Sequence, residues 1–193
     1  MPIEVIRFAC KPLMRAGRAR KVRLSSGIQR VPRVARSAQP SGDMMRLVFI
    51  PIEKDGTTDL PPEIPLPSEA AEVLSATAGL YNLVGFVPPW ICYLALDGET
   101  SVGTCGFKSA PQEGRVEIAY FTFPCYEGRG IATSMASGLL GMARKAAPEV
   151  VVAAQTLPDR NASHRILEKL GFRCVGPLEH PEDGTVLEWR LDG

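Results

Sequence analysis

Apolar residues along the chain fall into short runs and periodic stretches, and each change of period marks a new element. Leu47-Val48-Phe49-Ile50 is a continuous apolar run of strand length, after which Pro61-Pro62, Pro65 and Pro67 mark an irregular connection. Ser68 is placed to cap a helix that carries Glu69 and Glu72 in its first turn. Val73, Leu74 and Leu80 give that helix an apolar face, and it should end near Gly85. Two strands, 90–96 and 101–109, flank Asp97-Gly98, a dipeptide that accepts the positive φ angles of a tight hairpin. In 115–123, Val116, Ile118 and Tyr120 alternate with Glu117, Ala119 and Phe121, which predicts a central strand with two distinct faces.

The period then changes. Ile131, Met135, Leu139, Met142 and Ala146 recur at helical spacing and stop before Pro148. Val150-Val151-Val152-Ala153-Ala154 follows as an unbroken apolar run, the pattern of a strand covered on both faces by a crossover helix. A last helix over 161–170, capped by Asn161 or Ser163, is closed by Gly171 at a left-handed exit with Phe172 behind it. Strands at 173–175 and 185–191, joined through Pro181-Glu182-Asp183-Gly184, end the chain. The expected class is α/β (α+β): a central mixed, mostly antiparallel sheet with one parallel β-α-β core and helices on both faces.

Charge divides the sequence in two. Residues 1–43 hold ten Lys or Arg against Glu4 and Asp43, while 44–193 hold 12 basic and 19 acidic side chains. The first part has no sustained apolar period and is expected to be disordered, leaving one domain over 44–193. An Arg-rich, acid-poor stretch also has the composition of a mitochondrial transit peptide, or of translated sequence ahead of a start at Met44 or Met45; a bland tail or misassigned start is preferred. The acidic body offers no basic face to a phosphate backbone, which argues against nucleic-acid binding outside the leader.

Cys10, Cys92, Cys105, Cys125 and Cys174 are odd in number and contain no C-x-x-C pair. They suit a reducing cytoplasm and argue against a disulfide framework or a zinc site, so no metal is expected. The 24 residues between Glu72 and Asp97 carry no charge, but Pro88-Pro89 divides them, and a helix, turn and strand account for them better than a membrane span.

Tyr126-Glu127-Gly128-Arg129-Gly130-Ile131-Ala132-Thr133 joins the central strand to a helix, where successive amides are unpaired and the helix dipole is positive. Gly128 and Gly130 remove side chains that would block a pyrophosphate, and Arg129 adds a charge. The loop has neither the Lys-Ser/Thr of a nucleotide-hydrolysing phosphate loop nor a three-glycine dinucleotide fingerprint. Close packing of a glycine-rich helix start is the purely structural alternative.

Two segments decide between them. Val116-Glu117-Ile118-Ala119-Tyr120 followed by Pro124 to Thr133 resembles the acyl-CoA loop of GNAT acetyltransferases. Thr156-Leu157-Pro158-Asp159-Arg160-Asn161-Ala162-Ser163-His164-Arg165 and onward to Phe172 resembles the cofactor-flanking motif of the branch that includes ribosomal-protein-alanine acetyltransferases. The resemblance implies a GNAT fold, acetyl-CoA as cosubstrate and an amine as acceptor. It also implies a pantetheine paired with backbone groups of Phe121, Thr122 and Phe123, and a pyrophosphate on Gly128, Arg129, Gly130, Ile131, Ala132 and Thr133. Asn161 would hydrogen-bond the cofactor while capping its helix. Glu127 departs from the Gln or Arg of many relatives, and weaker cofactor affinity is expected.

Acetyl transfer to an amine needs a base, a polarised carbonyl and a proton for the leaving thiolate. Glu117 is the candidate base, because a carboxylate within an apolar strand is costly unless paired; a salt-bridged glutamate is the equal alternative. Relatives carry a proton-donating tyrosine on the last helix, whereas 163–170 has none, which leaves Ser163 or water. His164, Arg160 and Arg165 are read as solvated, Cys125 as an inert small hydrophobe, and Trp90, Tyr81 and Tyr93 as core. A non-catalytic acyl-CoA-binding module is the rival function, the acceptor's identity is open, and an isologous dimer is a common outcome for such compact enzymes.

Overall fold

The computed structural model describes residues 46–181 and 183–192. The leader 1–43 and its expected disorder, Met44 and Met45, Cys10 and Glu182 of the last turn lie outside the described residues. Seven strands form one sheet: β1 (Val48–Pro51), β2 (Cys92–Asp97), β3 (Thr100–Phe107), β4 (Arg115–Thr122), β5 (Val151–Thr156), β6 (Arg173–His180) and β7 (Gly184–Leu191). Among the described residues three helices accompany them: α1 (Ser68–Val84), α2 (Ile131–Ala146) and α3 (Ala162–Lys169). The spatial order is β1-β2-β3-β4-β5-β7-β6, antiparallel throughout except for the parallel neighbours β4 and β5.

Side-chain alternation assigns the faces. Ala70 and Val73 of α1 pack with Leu94, Leu96, Phe121 and Phe123. On the opposite face, Ile131, Met135, Ala136, Leu139, Leu140 and Ala143 of α2 are buried. That face approaches closely: a Cβ on Gly138 of α2 would overlap the Phe49 ring, and one on Gly103 would meet Met135 Cε at 3.2 Å. The apolar spacing of α2 therefore holds as far as Leu139, after which Leu140 and Ala143 turn inward while Ala146 is exposed.

Element ends follow local chemistry with two corrections. Gly85, Gly98 and Gly171 take positive φ at the α1 exit, the hairpin and the α3 exit. Ser68 is not a cap: the N-cap is Pro67, and the Ser68 hydroxyl donates to Glu69 Oε2 at 2.9 Å. β6 runs to His180, longer than its sequence suggests, because it pairs with β7 along nearly its whole length across a bulge between Cys174 and Gly176. No helix among the described residues is long and apolar enough to cross a membrane.

Candidate active site

β4 and β5 pair only through Arg115–Val151, Val116–Val152 and Glu117–Ala153. β4 continues to Thr122 and β5 to Thr156, so the two strands diverge and leave a cleft open in the middle of the sheet. The direction of the main chain at the cleft follows from the β3–β4 ladder. Lys108 N donates to Glu117 O at 2.9 Å and Phe123 N donates to Val102 O at 3.0 Å. Odd-numbered residues of β4 therefore turn their peptide groups into β3, and even-numbered ones turn theirs toward β5. This corrects the expectation for Phe121 and Phe123, whose main chain is committed to β3; Tyr120 and Thr122 present theirs to the cleft. The Phe121 and Phe123 rings are buried against each other at 5.9 Å on the α1 face.

At the wide end of the cleft a 3-10 turn, Pro124–Tyr126, leads into the glycine loop. Gly128 and Gly130 have φ of 72° and 81°, and nothing lies within 4 Å of where a Cβ would stand on either. Gly130 is the N-cap of α2, and no side chain caps the helix, whose first amides are left for another partner. Ile131 anchors the first turn in the core, while Ala132 and Thr133 are half-buried. Arg129 Nη2 donates to Cys125 O at 3.2 Å, and the guanidinium lies over the Tyr126 ring at 5.4 Å, so its charge is held at the loop. Glu127 and Cys125 are both exposed.

α3 begins on the far side of the cleft. Asn161 Oδ1 accepts from Ser163 N at 2.9 Å and His164 N at 3.4 Å, and its Nδ2 donates to Asp159 O, which commits the amide to the cap. His164, expected to be solvated, is buried: its Nε2 lies 2.9 Å from Thr156 Oγ1 and 3.0 Å from Leu157 O. Trp189 Nε1 donates to the same Thr156 hydroxyl at 3.0 Å, tying the helix start to β5 and β7. Ser163 is half-buried, and its side chain hydrogen-bonds the Tyr120 phenol. Arg160 and Arg165 are exposed.

Glu117 is buried on the α1 face and fully engaged. It forms ion pairs with Lys108 Nζ and, at 3.3 Å, with Arg115 Nη2. Arg115 Nε also meets Glu188 Oε1 at 3.2 Å, and Arg190 Nε meets the same oxygen at 2.8 Å. Burial pushes the Glu188 carboxyl up, but hydrogen bonds and charge from Arg190 and Arg115 together hold it below its ordinary value. The paired-glutamate alternative thus describes the resting geometry, with the carboxylate on the last residue pair before the strands part.

These surroundings fit coenzyme A. The open glycine pair and uncapped α2 start suit a diphosphate. The unpaired β4 edge suits an amide-bearing chain lying alongside it. Thr122 Oγ1 and Gln155 Oε1, on the two diverging strands, are buried without hydrogen-bond partners. Among the described residues no three His, Cys, Asp or Glu side chains gather as metal ligands would. Sequence reasoning passed over Tyr120 and His164 as site residues; the Val116–Tyr120 motif contains the first, and nothing local marks the second.

The family model for the Acetyltransferase (GNAT) domain matches residues 41–173. No curated protein matches the chain significantly in sequence. Among solved structures, RimL, the ribosomal L7/L12 alpha-N-protein acetyltransferase in complex with coenzyme A, is similar with a TM-score of 0.55 at 13% identity, over 76% of this chain and 93% of that one. A protein from Bordetella pertussis assigned to the GNAT-family acetyltransferases has a TM-score of 0.52 at 21% identity, over 77% and 96%. The ribosomal-protein-S5-alanine acetyltransferase from Vibrio fischeri aligns over 53% of this chain and only 61% of its own length, with 17% identity and a TM-score of 0.48. At these identities the structural likeness speaks for the fold, and the family model speaks for descent: the chain belongs to the GNAT acetyltransferase family.

Proposed function

We propose that the protein transfers an acetyl group from acetyl-CoA to the primary amine of a protein N-terminus or a small molecule, by direct attack in a ternary complex. The observation that carries this reading is the β4–β5 divergence opening onto a glycine loop and an uncapped helix start. That arrangement offers main-chain donors to both the diphosphate and the acyl carbonyl, a form of binding that costs no reorganisation when charge develops. Main-chain groups of Tyr120 and Thr122 are assigned to the pantetheine side, and residues 128–133 to the diphosphate. Holding donor and acceptor together removes the entropic cost of their encounter.

Glu117 is assigned as the base, acting through water. Its partners Lys108 and Arg115 hold the carboxylate in place at the point where β4 and β5 separate. Acceptor identity is open: RimL is described as acting on a ribosomal protein's N-terminus, and an N-terminal amine is one class to test here. The reading assigns catalysis to residues 44–193, places the enzyme in a reducing cytoplasm and gives nucleic acid no part; a homodimer is its expected assembly.

Calorimetry of the full chain with coenzyme A and acetyl-CoA, followed by a thiol-release assay over a panel of peptides and small amines, tests the proposal. Binding plus turnover of one amine class is expected. Heat with no turnover on any amine favours the rival acyl-CoA-binding module, and no heat with either ligand refutes both. Glu117→Gln should reduce kcat by about 100-fold.

A further inference from the structure

The transfer chemistry needs a proton at sulfur as the thioester breaks, and the helix after β5 offers no tyrosine for it. The sheet supplies one. Tyr120 lies on β4 beyond the last β4–β5 pair, Glu117–Ala153, where the strands have already parted. By side-chain alternation it shares a face with Val116 and Ile118, the face covered by α2 and α3, and its hydroxyl meets the side chain of Ser163 in the first turn of α3. A phenol on one wall of the cleft is thus hydrogen-bonded to a hydroxyl on the other.

We propose that Tyr120, delivered from the strand, is the catalytic residue that donates a proton to the departing sulfur, with Ser163 as its relay partner. This deepens the acetyl-transfer reading and rests on it. The acceptor nitrogen forms the C–N bond and must lose a proton; the C–S bond breaks with its electron pair retained on sulfur. Tyr120 gives its hydroxyl proton to that sulfur while taking one from Ser163, which is refilled from water; the proton leaving nitrogen passes through water to Glu117, which returns it to solvent. The net transfer runs from nitrogen to sulfur, and neither hydroxyl is left charged.

The surroundings keep both groups in place. Asn161 fixes the Ser163 amide at 2.9 Å, and the His164–Thr156–Trp189 cluster ties the start of α3 to the sheet. Burial pushes the Tyr120 phenol up to about 12, with the Ser163 hydrogen bond opposing that rise, so the hydroxyl carries its proton across the neutral range.

The test uses the full chain with Tyr120→Phe, and separately with 3-fluorotyrosine in place of Tyr120. Tyr120→Phe should lower kcat by about 100-fold while KM for acetyl-CoA changes little. The fluorine resonance should move on adding coenzyme A and stay put on adding desulfo-coenzyme A, which lacks only the sulfur. Tyr120→Phe turning over at the wild-type rate, or a resonance that responds equally to the two ligands, overturns the assignment while leaving acetyl transfer intact. Wild-type protein that binds neither ligand sinks both. If Tyr120→Phe does not fold, the fluorine experiment decides alone.

Discussion

The Tyr81 hydroxyl accepts the amide proton of Cys92 at 2.8 Å and donates its own to Ile52 O at 3.1 Å. One phenol thereby pins the last turn of α1 to the first residue of β2 and to the chain just beyond β1. All three residues are buried, so deleting the oxygen strands a donor and an acceptor away from water. Tyr81→Phe should cost about 2 kcal/mol in urea unfolding with an unchanged m-value.

Alkaline pH should unfold the protein through its buried phenols and thiols. Burial pushes Tyr93 and Tyr120 up to about 12, Cys92 to about 12, and Tyr81 and Cys105 also upward. In the unfolded chain the thiols ionise near about 8.5 and the phenols near about 10. Between those values and the folded ones the unfolded state holds fewer protons, so stability is complete below about pH 8 and falls progressively as pH rises toward 12. Scanning Tm from pH 7 to 11 checks the sign, and a Tm that climbs above pH 9 would contradict it.

Two glycines that both lack room for a side chain should differ in cost. A Cβ on Gly106 would stand 2.5 Å from Cys92 Cα in the neighbouring strand, which cannot retreat without breaking the β2–β3 ladder. At Gly138 the obstacle is the outer edge of the half-buried Phe49 ring, which can swing aside. Gly106→Ala should therefore lose about 3 kcal/mol and Gly138→Ala about 1 kcal/mol, read from denaturant midpoints.

The cofactor loop separates affinity from stability. Gly128 and Gly130 sit at left-handed φ with open space around them, so alanine there costs only about 1 kcal/mol of backbone strain each. Gly128→Ala and Gly130→Ala should each weaken coenzyme A binding about tenfold by calorimetry, beyond anything the small loss in Tm explains. Unaltered affinity in both variants would move the diphosphate elsewhere.

Features that depend on neighbours in sequence were legible before the structure. Asp97-Gly98 announced its hairpin, Asn161 its cap, and the Ile131–Leu139 spacing the inner face of α2. Features set by register or by distant partners were not. The direction of the Phe121 and Phe123 peptides depends on how β4 aligns with β3, which alternation within β4 leaves open. His164 looked like any polar residue in a helix's first turn because Thr156 and Trp189, which bury it, reach it only through the fold. Lys108 likewise meets Glu117 across a strand boundary that no motif records.

The sheet is in effect two antiparallel blocks, β1 to β4 and β5-β7-β6, stitched by three residue pairs at one end. A ligand lying in that seam acts as a missing strand that sews the halves together. Occupancy should then register far from the chemistry: slower amide exchange at Tyr120 and Thr122, and a single melting transition sharpened by the ligand.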